Sequence, residues 1–182
     1  MTRAILDALA WQSAQRCLPK TRNVVHPISQ LPVLRSGYFC FVDAAWIAQS
    51  SLAGSGWVFQ SATALEKETA TYSAGCRRLP SALSAEAWAI KSALLHALQL
   101  GRTDLMVLSD SKSVVDALTS NISINEIYGL LMEIRALRVS FHSLCFNFIS
   151  RSANAIADAT AKLSFCNVDG RGTLSSGYVR LV

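Results

Sequence analysis

An aspartate stands in the stretch YFCFVDAAWI, residues 38–47, in which every other residue is apolar or aromatic. In an extended chain Tyr38, Cys40, Val42, Ala44 and Trp46 share one face. Phe39, Phe41, Asp43, Ala45 and Ile47 share the other. Apolar residues on both faces mark a strand covered on two sides, so this chain has to build a layer against each face. It also has to compensate Asp43, because an ionised carboxylate buried alone costs several kcal/mol. The residues leave the compensation open: a functional partner, an edge or bulge position that reaches water, or an arginine.

The rest of the sequence supplies the layers. Gly54-Ser-Gly56 reads as a turn leading into a second strand at Trp57-Val58-Phe59. Residues 66–76 are threonine-rich and extended, a third and more exposed strand. Pro80 precedes a helical pattern over 82–100 whose stripe is Leu83, Ala87, Ile90, Leu94, Ala97 and Leu98, closed by Gly101. A short apolar strand follows at 104–109, then helices in SKSVVDALTS and EIYGLLMEIRALRVS. HSLCFNFIS reads as a strand and ANAIADATAKLSF as a closing helix. The order βββ-α-β-α-α-β-α is a meander followed by crossovers, an α/β mixed sheet with helices packed on it.

At 182 residues this is one domain, residues 37–165, with a basic helix and loop extension over 1–36 and a patternless tail over 166–182. No run of about 18 apolar residues suits a membrane span. The cysteines at 17, 40, 76, 145 and 166 form no metal-binding cluster; Cys40 and Cys145 read as core residues. They point to a reducing compartment, nucleus or cytoplasm, while the acid-poor N-terminal 36 residues are compatible with organelle targeting. Residues 37–165 carry ten basic and ten acidic side chains, so charge alone does not mark the body as a polyanion binder.

Taken singly, the other acids are ambiguous. Glu86 falls in the first turn of the long helix, where the macrodipole favours acids, yet it borders the apolar stripe. Asp110 ends a strand and starts a helix, so it reads equally as an N-cap or as a ligand group at a strand's carboxyl end. Asp158 lies off the stripe of the last helix and reads as a solvated or dipole-favoured acid; Asp116 reads as surface.

In combination they are more specific. Asp43, then GSGWV, SAEAWAI, LSDSKSVVDAL and NAIADATAK, resemble the ribonuclease H type 1 family, and more narrowly the plant ribonuclease H-like domains associated with retroelement reverse transcriptases. The resemblance spans about residues 38–165. It implies a five-stranded mixed sheet, three antiparallel strands followed by two parallel ones. It also implies that Asp43, Glu86, Asp110 and Asp158 hold two divalent cations, Mg²⁺ with Mn²⁺ as a possible substitute. The implied activity is endonucleolytic cleavage of the RNA strand of an RNA/DNA hybrid, with Ser111, Lys112, Arg151 and Asn154 as nucleic-acid contacts, the last two matching an Arg-x-x-Asn pattern that orders the loop or touches phosphate. Hard oxygen donors suit magnesium, and a pair of cations about 4 Å apart suits in-line phosphoryl displacement. With the four acids set aside as ligands, residues 37–165 have a net charge of +4, a better surface for a phosphate backbone.

The sequence departs from the family pattern in four places. Ala44 stands where glycine is common and Thr160 where leucine is usual. The loop 150–154 lacks the histidine that active members often carry; His26, His96 and His142 read as structural or surface residues. The basic protrusion that grips substrate is also missing, which predicts weak hybrid affinity. The alternative reading is therefore a catalytically weak or inactive nucleic-acid-binding module of retroelement origin.

Overall fold

The computed structural model describes residues 37–63, 69–167 and 178–181. The chain divides into two units, Met1–Pro32 and Val33–Val182, and all described residues lie in the second. The N-terminal helix and its prolines, His26 and the start of the third predicted strand fall outside the described residues. Among the described residues, no helix is long and apolar enough to cross a membrane.

Strands β1 (Tyr38–Ile47), β2 (Leu52–Ser61) and β3 (Thr69–Arg78) form the antiparallel meander. Helix α1 (Ala82–Gln99) crosses to β4 (Asp104–Ser109), which pairs in parallel with β1. Helices α2 (Lys112–Thr119) and α3 (Tyr128–Leu137) lead to β5 (Ser143–Phe148), parallel to β4, and α4 (Ala155–Leu163) follows. The expected five-stranded mixed sheet is present, with β1 at its centre. A sixth strand, β6 (Tyr178–Leu181), pairs antiparallel with β3, giving the order β5-β4-β1-β2-β3-β6. Four residues at a sheet edge are too short to carry a readable periodicity, which is why the tail looked patternless.

Both faces of β1 are covered, as its composition requires. Ser81 caps α1 through a box in which Ser81 and Ser84 satisfy each other's backbone N–H groups. Leu100 closes the helix, and Gly101 takes the left-handed φ of +69° that glycine adopts freely. The helix buries Ile90, Ala93, Leu94 and Ala97. Trp57, beside it, donates from its indole nitrogen to His96 Nδ1 at 3.1 Å.

Helix α4 packs against β1, β2 and β3. Here the reading of Gly54-Ser-Gly56 is corrected. The turn is 48–51, with Ser51 at a φ of 54°, and the glycines lie inside β2. A methyl at Gly54 would collide with Ser164 Oγ, and one at Gly56 with the backbone of Thr160 and Ala161. The two glycines are spaced by two and so share one face, where they let α4 sit against the strand. A second correction concerns the cysteines: Cys40 is buried in β1, but Cys145 is exposed on β5.

Candidate active site

The parallel register of β1 and β4 runs from Tyr38↔Leu105 to Phe41↔Leu108. Two residues further along each chain stand Asp43 and Asp110. Strand β4 ends at Ser109, so Asp110 emerges at the strand's carboxyl end, where α/β sheets place ligand groups. Glu86 comes to the same point from α1. One carboxylate oxygen from each of Asp43, Glu86 and Asp110 lies within 4.8 Å of the other two.

Asp43 is in regular register with Gly56 of β2 and only 1% exposed, so neither an edge nor a bulge brings it to water. Its Oδ1 accepts from the Ala44 N–H at 2.9 Å, while Oδ2 is buried with no hydrogen-bond partner. Glu86 is not a first-turn acid: α1 begins at Ala82 and its first turn holds none, which weakens the macrodipole account. Nor is Asp110 a cap, since the N-cap of α2 is Ser111.

Burial and mutual repulsion are both visible in the acidities. Asp43 is pushed up from 3.8 to about 7, first by burial and then by the charge of Asp110. Glu86 is pushed up from 4.5 to about 9 by burial, then by the charges of Asp43 and Asp110. Arg151 opposes both shifts only weakly. It is exposed, with Nε 3.7 Å from Asp110 Oδ2.

Asp158 stands slightly apart. Its charge adds to the upward push on Asp43, so it lies within electrostatic reach of the cluster. Its Oδ2, however, pairs with Lys162 Nζ one turn along α4 at 2.6 Å, and it is not in the close group of three. Of the expected nucleic-acid contacts, Ser111 and Lys112 stand at the start of α2, half-buried and exposed respectively. Arg151 is exposed in the turn before α4, and Asn154 is buried.

The described histidines lie elsewhere. His96 is in the core against Trp57 and Tyr72, with its pKa lowered to about 4 by burial, then by the charge of Arg102. The neutral ring matches its role as acceptor from the Trp57 N–H. His142 is exposed and pairs with Asp104 at 2.7 Å at the start of β4, the end of the strand opposite Asp110. Two features escaped pattern reading: the seat that Gly54 and Gly56 make for α4, and the direction in which Asn154 spends its side chain. A glycine pair spaced by two inside an otherwise apolar strand is the signal that could have found the first.

A mixed sheet of this order, with acids gathered where β1 and β4 diverge and helices on both faces, is a ribonuclease H-like fold. The sequence matches the reverse transcriptase-like family over residues 41–164, and the chain belongs to that family. Solved structures agree. Ribonuclease H1 of the halophilic archaeon Halobacterium salinarum is 24% identical with a TM-score of 0.61, over 70% of this chain and 96% of that one. The N-terminal ribonuclease H domain of a Mycobacterium tuberculosis protein is 25% identical with a TM-score of 0.60, over 69% and 95%. A metagenomic ribonuclease H1 solved in complex with an RNA/DNA hybrid is 20% identical with a TM-score of 0.55, over 68% and 92%. No curated protein shows a significant sequence match to the chain.

Proposed function

We propose that this chain is a divalent-cation-dependent endonuclease that hydrolyses the RNA strand of RNA/DNA hybrids at Asp43, Glu86 and Asp110, with Asp158 as the fourth acid. The observation that carries this reading is the convergence of three carboxylates, one of them, Asp43, only 1% exposed. The donors fit magnesium or manganese: all are hard carboxylate oxygens, and no thiolate or imidazole belongs to the group. Their acidities fit as well. Without a cation, Asp43 and Glu86 hold their protons to about pH 7 and about pH 9, and a bound positive charge would take the place of those protons in offsetting the repulsion.

When bound, divalent cations supply Lewis-acid charge that lowers the pKa of water and offsets charge on the leaving oxygen of an in-line displacement. The protein's own part is to hold and aim. Asp43 is fixed by a central strand and Glu86 by an 18-residue helix, so little side-chain freedom remains to be lost. Asp158 is tied to Lys162 by an exposed i,i+4 pair of about 0.2–0.5 kcal/mol, too weak to keep it from turning toward the cluster. Ser111 and Lys112 stand at the N-terminus of α2, where backbone N–H groups and the helix dipole favour a phosphate. Arg151 adds an exposed cation at the rim. A hybrid would be read by minor-groove shape and 2′-hydroxyls rather than by base sequence. We further propose a plant retroelement origin, from the resemblance of the motifs, and a reducing compartment, nucleus or cytoplasm, from the scattered cysteines.

The test is cleavage of an end-labelled hybrid with Mg²⁺ or Mn²⁺, beside the Asp110→Asn variant. Cation-dependent cleavage leaving a 3′-hydroxyl and a 5′-phosphate, lost in the variant, is expected. Folded protein that cuts no faster than Asp110→Asn with either ion overturns the reading. Hybrid binding without turnover would identify the inactive module instead.

A further inference from the structure

Asn154 spends its side chain on the acidic cluster and not on its own helix. It is the N-cap residue of α4, where an asparagine ordinarily accepts from one of the helix's first N–H groups; no such bond is made here. Instead Nδ2 donates to the Val42 carbonyl at 2.9 Å and to Asp110 Oδ1 at 3.3 Å. Both partners accept only, which fixes the amide with its nitrogen toward them. The residue is 1% exposed, and its Oδ1 is buried with no partner. The unused cap and the orphaned oxygen both lower stability, so local folding alone would favour a serine here.

The arrangement is explained by what the amide joins. The Val42 carbonyl belongs to the peptide that leads into Asp43. One side-chain group therefore grips the main chain beside one acid and the carboxylate of another, across 112 and 44 residues of sequence. Arg151, in the same short 3-10 turn, faces the second oxygen of Asp110. The turn Arg151–Asn154 approaches both oxygens of that carboxylate, one from its exposed end and one from its buried end.

We infer that Asn154 is a positioning residue: it aims Asp110 and pins the main chain at Asp43, keeping the acids at the spacing a divalent cation needs, and does not itself touch phosphate. This inference rests on the cation-binding reading above. The decisive measurement is Mn²⁺ affinity by calorimetry for the full chain and for Asn154→Ala and Asn154→Ser, with melting curves and hybrid kinetics on the same samples. Mn²⁺ affinity is expected to fall about 10- to 100-fold in both variants, the range for groups that orient metal ligands. The kcat should fall with it, while KM and the salt dependence of hybrid binding stay as in the wild type. The serine variant regains a helix cap, so it keeps or raises the melting temperature while still losing Mn²⁺ affinity. A purely structural role predicts lower melting with unchanged affinity; a phosphate contact predicts raised KM and a shallower salt dependence with unchanged affinity. Either result overturns the inference. Wild-type protein that binds no Mn²⁺ overturns the cation reading, and this inference with it. If the wild type binds Mn²⁺ without cleaving, the affinity comparison alone decides.

Discussion

Strand β4 has an aspartate at each end, and the two could hardly be placed more differently. Asp104, at the start, is partly exposed and paired with the exposed ring of His142 at 2.7 Å. Asp110, just past the end, has a side chain only 12% exposed and stands against Asp43 and Glu86. The first has a partner of opposite sign and water around both groups, a situation that needs no explanation beyond surface electrostatics. The second has two acids for neighbours and one exposed guanidinium 3.7 Å away. The same residue type on the same strand is a surface ion pair at one end and a member of a crowded, half-buried acidic cluster at the other. What separates them is which elements converge there: α1 brings Glu86, and the turn before α4 brings Arg151 and Asn154.

The largest test of this contrast is to neutralise each aspartate in turn. Asp110→Asn is expected to lower hybrid cleavage by at least about 100-fold, the scale of losing one group that acts on the transition state. Asp104→Asn should leave the rate within about twofold, because a surface substitution remote from the site has no route to it. Equal losses in single-turnover assays would break the comparison.

A second test reads stability. Asp43 and Glu86 have folded pKa values of about 7 and about 9, raised from 3.8 and 4.5. Acids with raised folded values contribute stability that is fully present below the unfolded pKa and is lost as pH rises through the folded one. In chelator, the melting temperature should therefore fall from pH 5 to pH 9. Asp43→Asn should remove the part lost between about pH 4 and 7, melting above wild type at pH 8.5. Divalent cation should raise the melting temperature of the wild type at that pH and do so less in the variant. A wild-type curve flat across this range in chelator would contradict the crowding of the acids.

How much of this was legible beforehand depends on the range of the signal. The anomaly of Asp43 was visible because a charge among nine apolar residues violates a local pattern. The order of strands and helices followed from periodicity in the same way. Asp110 and Glu86 had respectable local explanations, a cap and a first-turn acid, and only the resemblance joined them to Asp43. Their true surroundings depend on where β4 stops relative to β1, a register no single segment encodes. Asn154 was harder still, since an asparagine before a helix looks like a cap whichever way its amide turns. The glycines of β2 were misread because turn chemistry and close packing use the same residue.

Those glycines offer a third test, with a smaller effect. Gly56 pairs with Asp43 across the antiparallel register, and a Cβ there meets the backbone of α4. Backbone cannot move aside as a side-chain tip can, so Gly56→Ala should destabilise by about 1–3 kcal/mol as overpacking does. The displaced helix carries Asp158, and Asn154 stands at its N-terminus. Hybrid cleavage should therefore drop at temperatures where the variant is still folded, while the Asp104–His142 pair at the other end of β4 is undisturbed. A variant that loses stability but retains full activity would show that the seat of α4 matters to the fold and not to the cluster.

The smallest effect belongs to that other pair. The bond to Asp104 raises the pKa of His142 above its ordinary 6.5. A histidine with a raised folded value contributes stability that is present below about 6.5 and fades as pH rises through the folded value. His142→Ala should therefore melt slightly below wild type at pH 5.5 and level with it at pH 8.5. Because both groups meet water, the difference at pH 5.5 should shrink further in 0.5 M salt, where the screening length is only a few Å. The acidic cluster also loses stability as pH rises, but its contribution is set by burial and so should survive the same salt. Parallel melts of His142→Ala and Asp43→Asn in low and high salt separate the two ends of β4 by that property alone. A salt-insensitive effect at His142 would mean that its pair with Asp104 is more enclosed than an exposed ring allows.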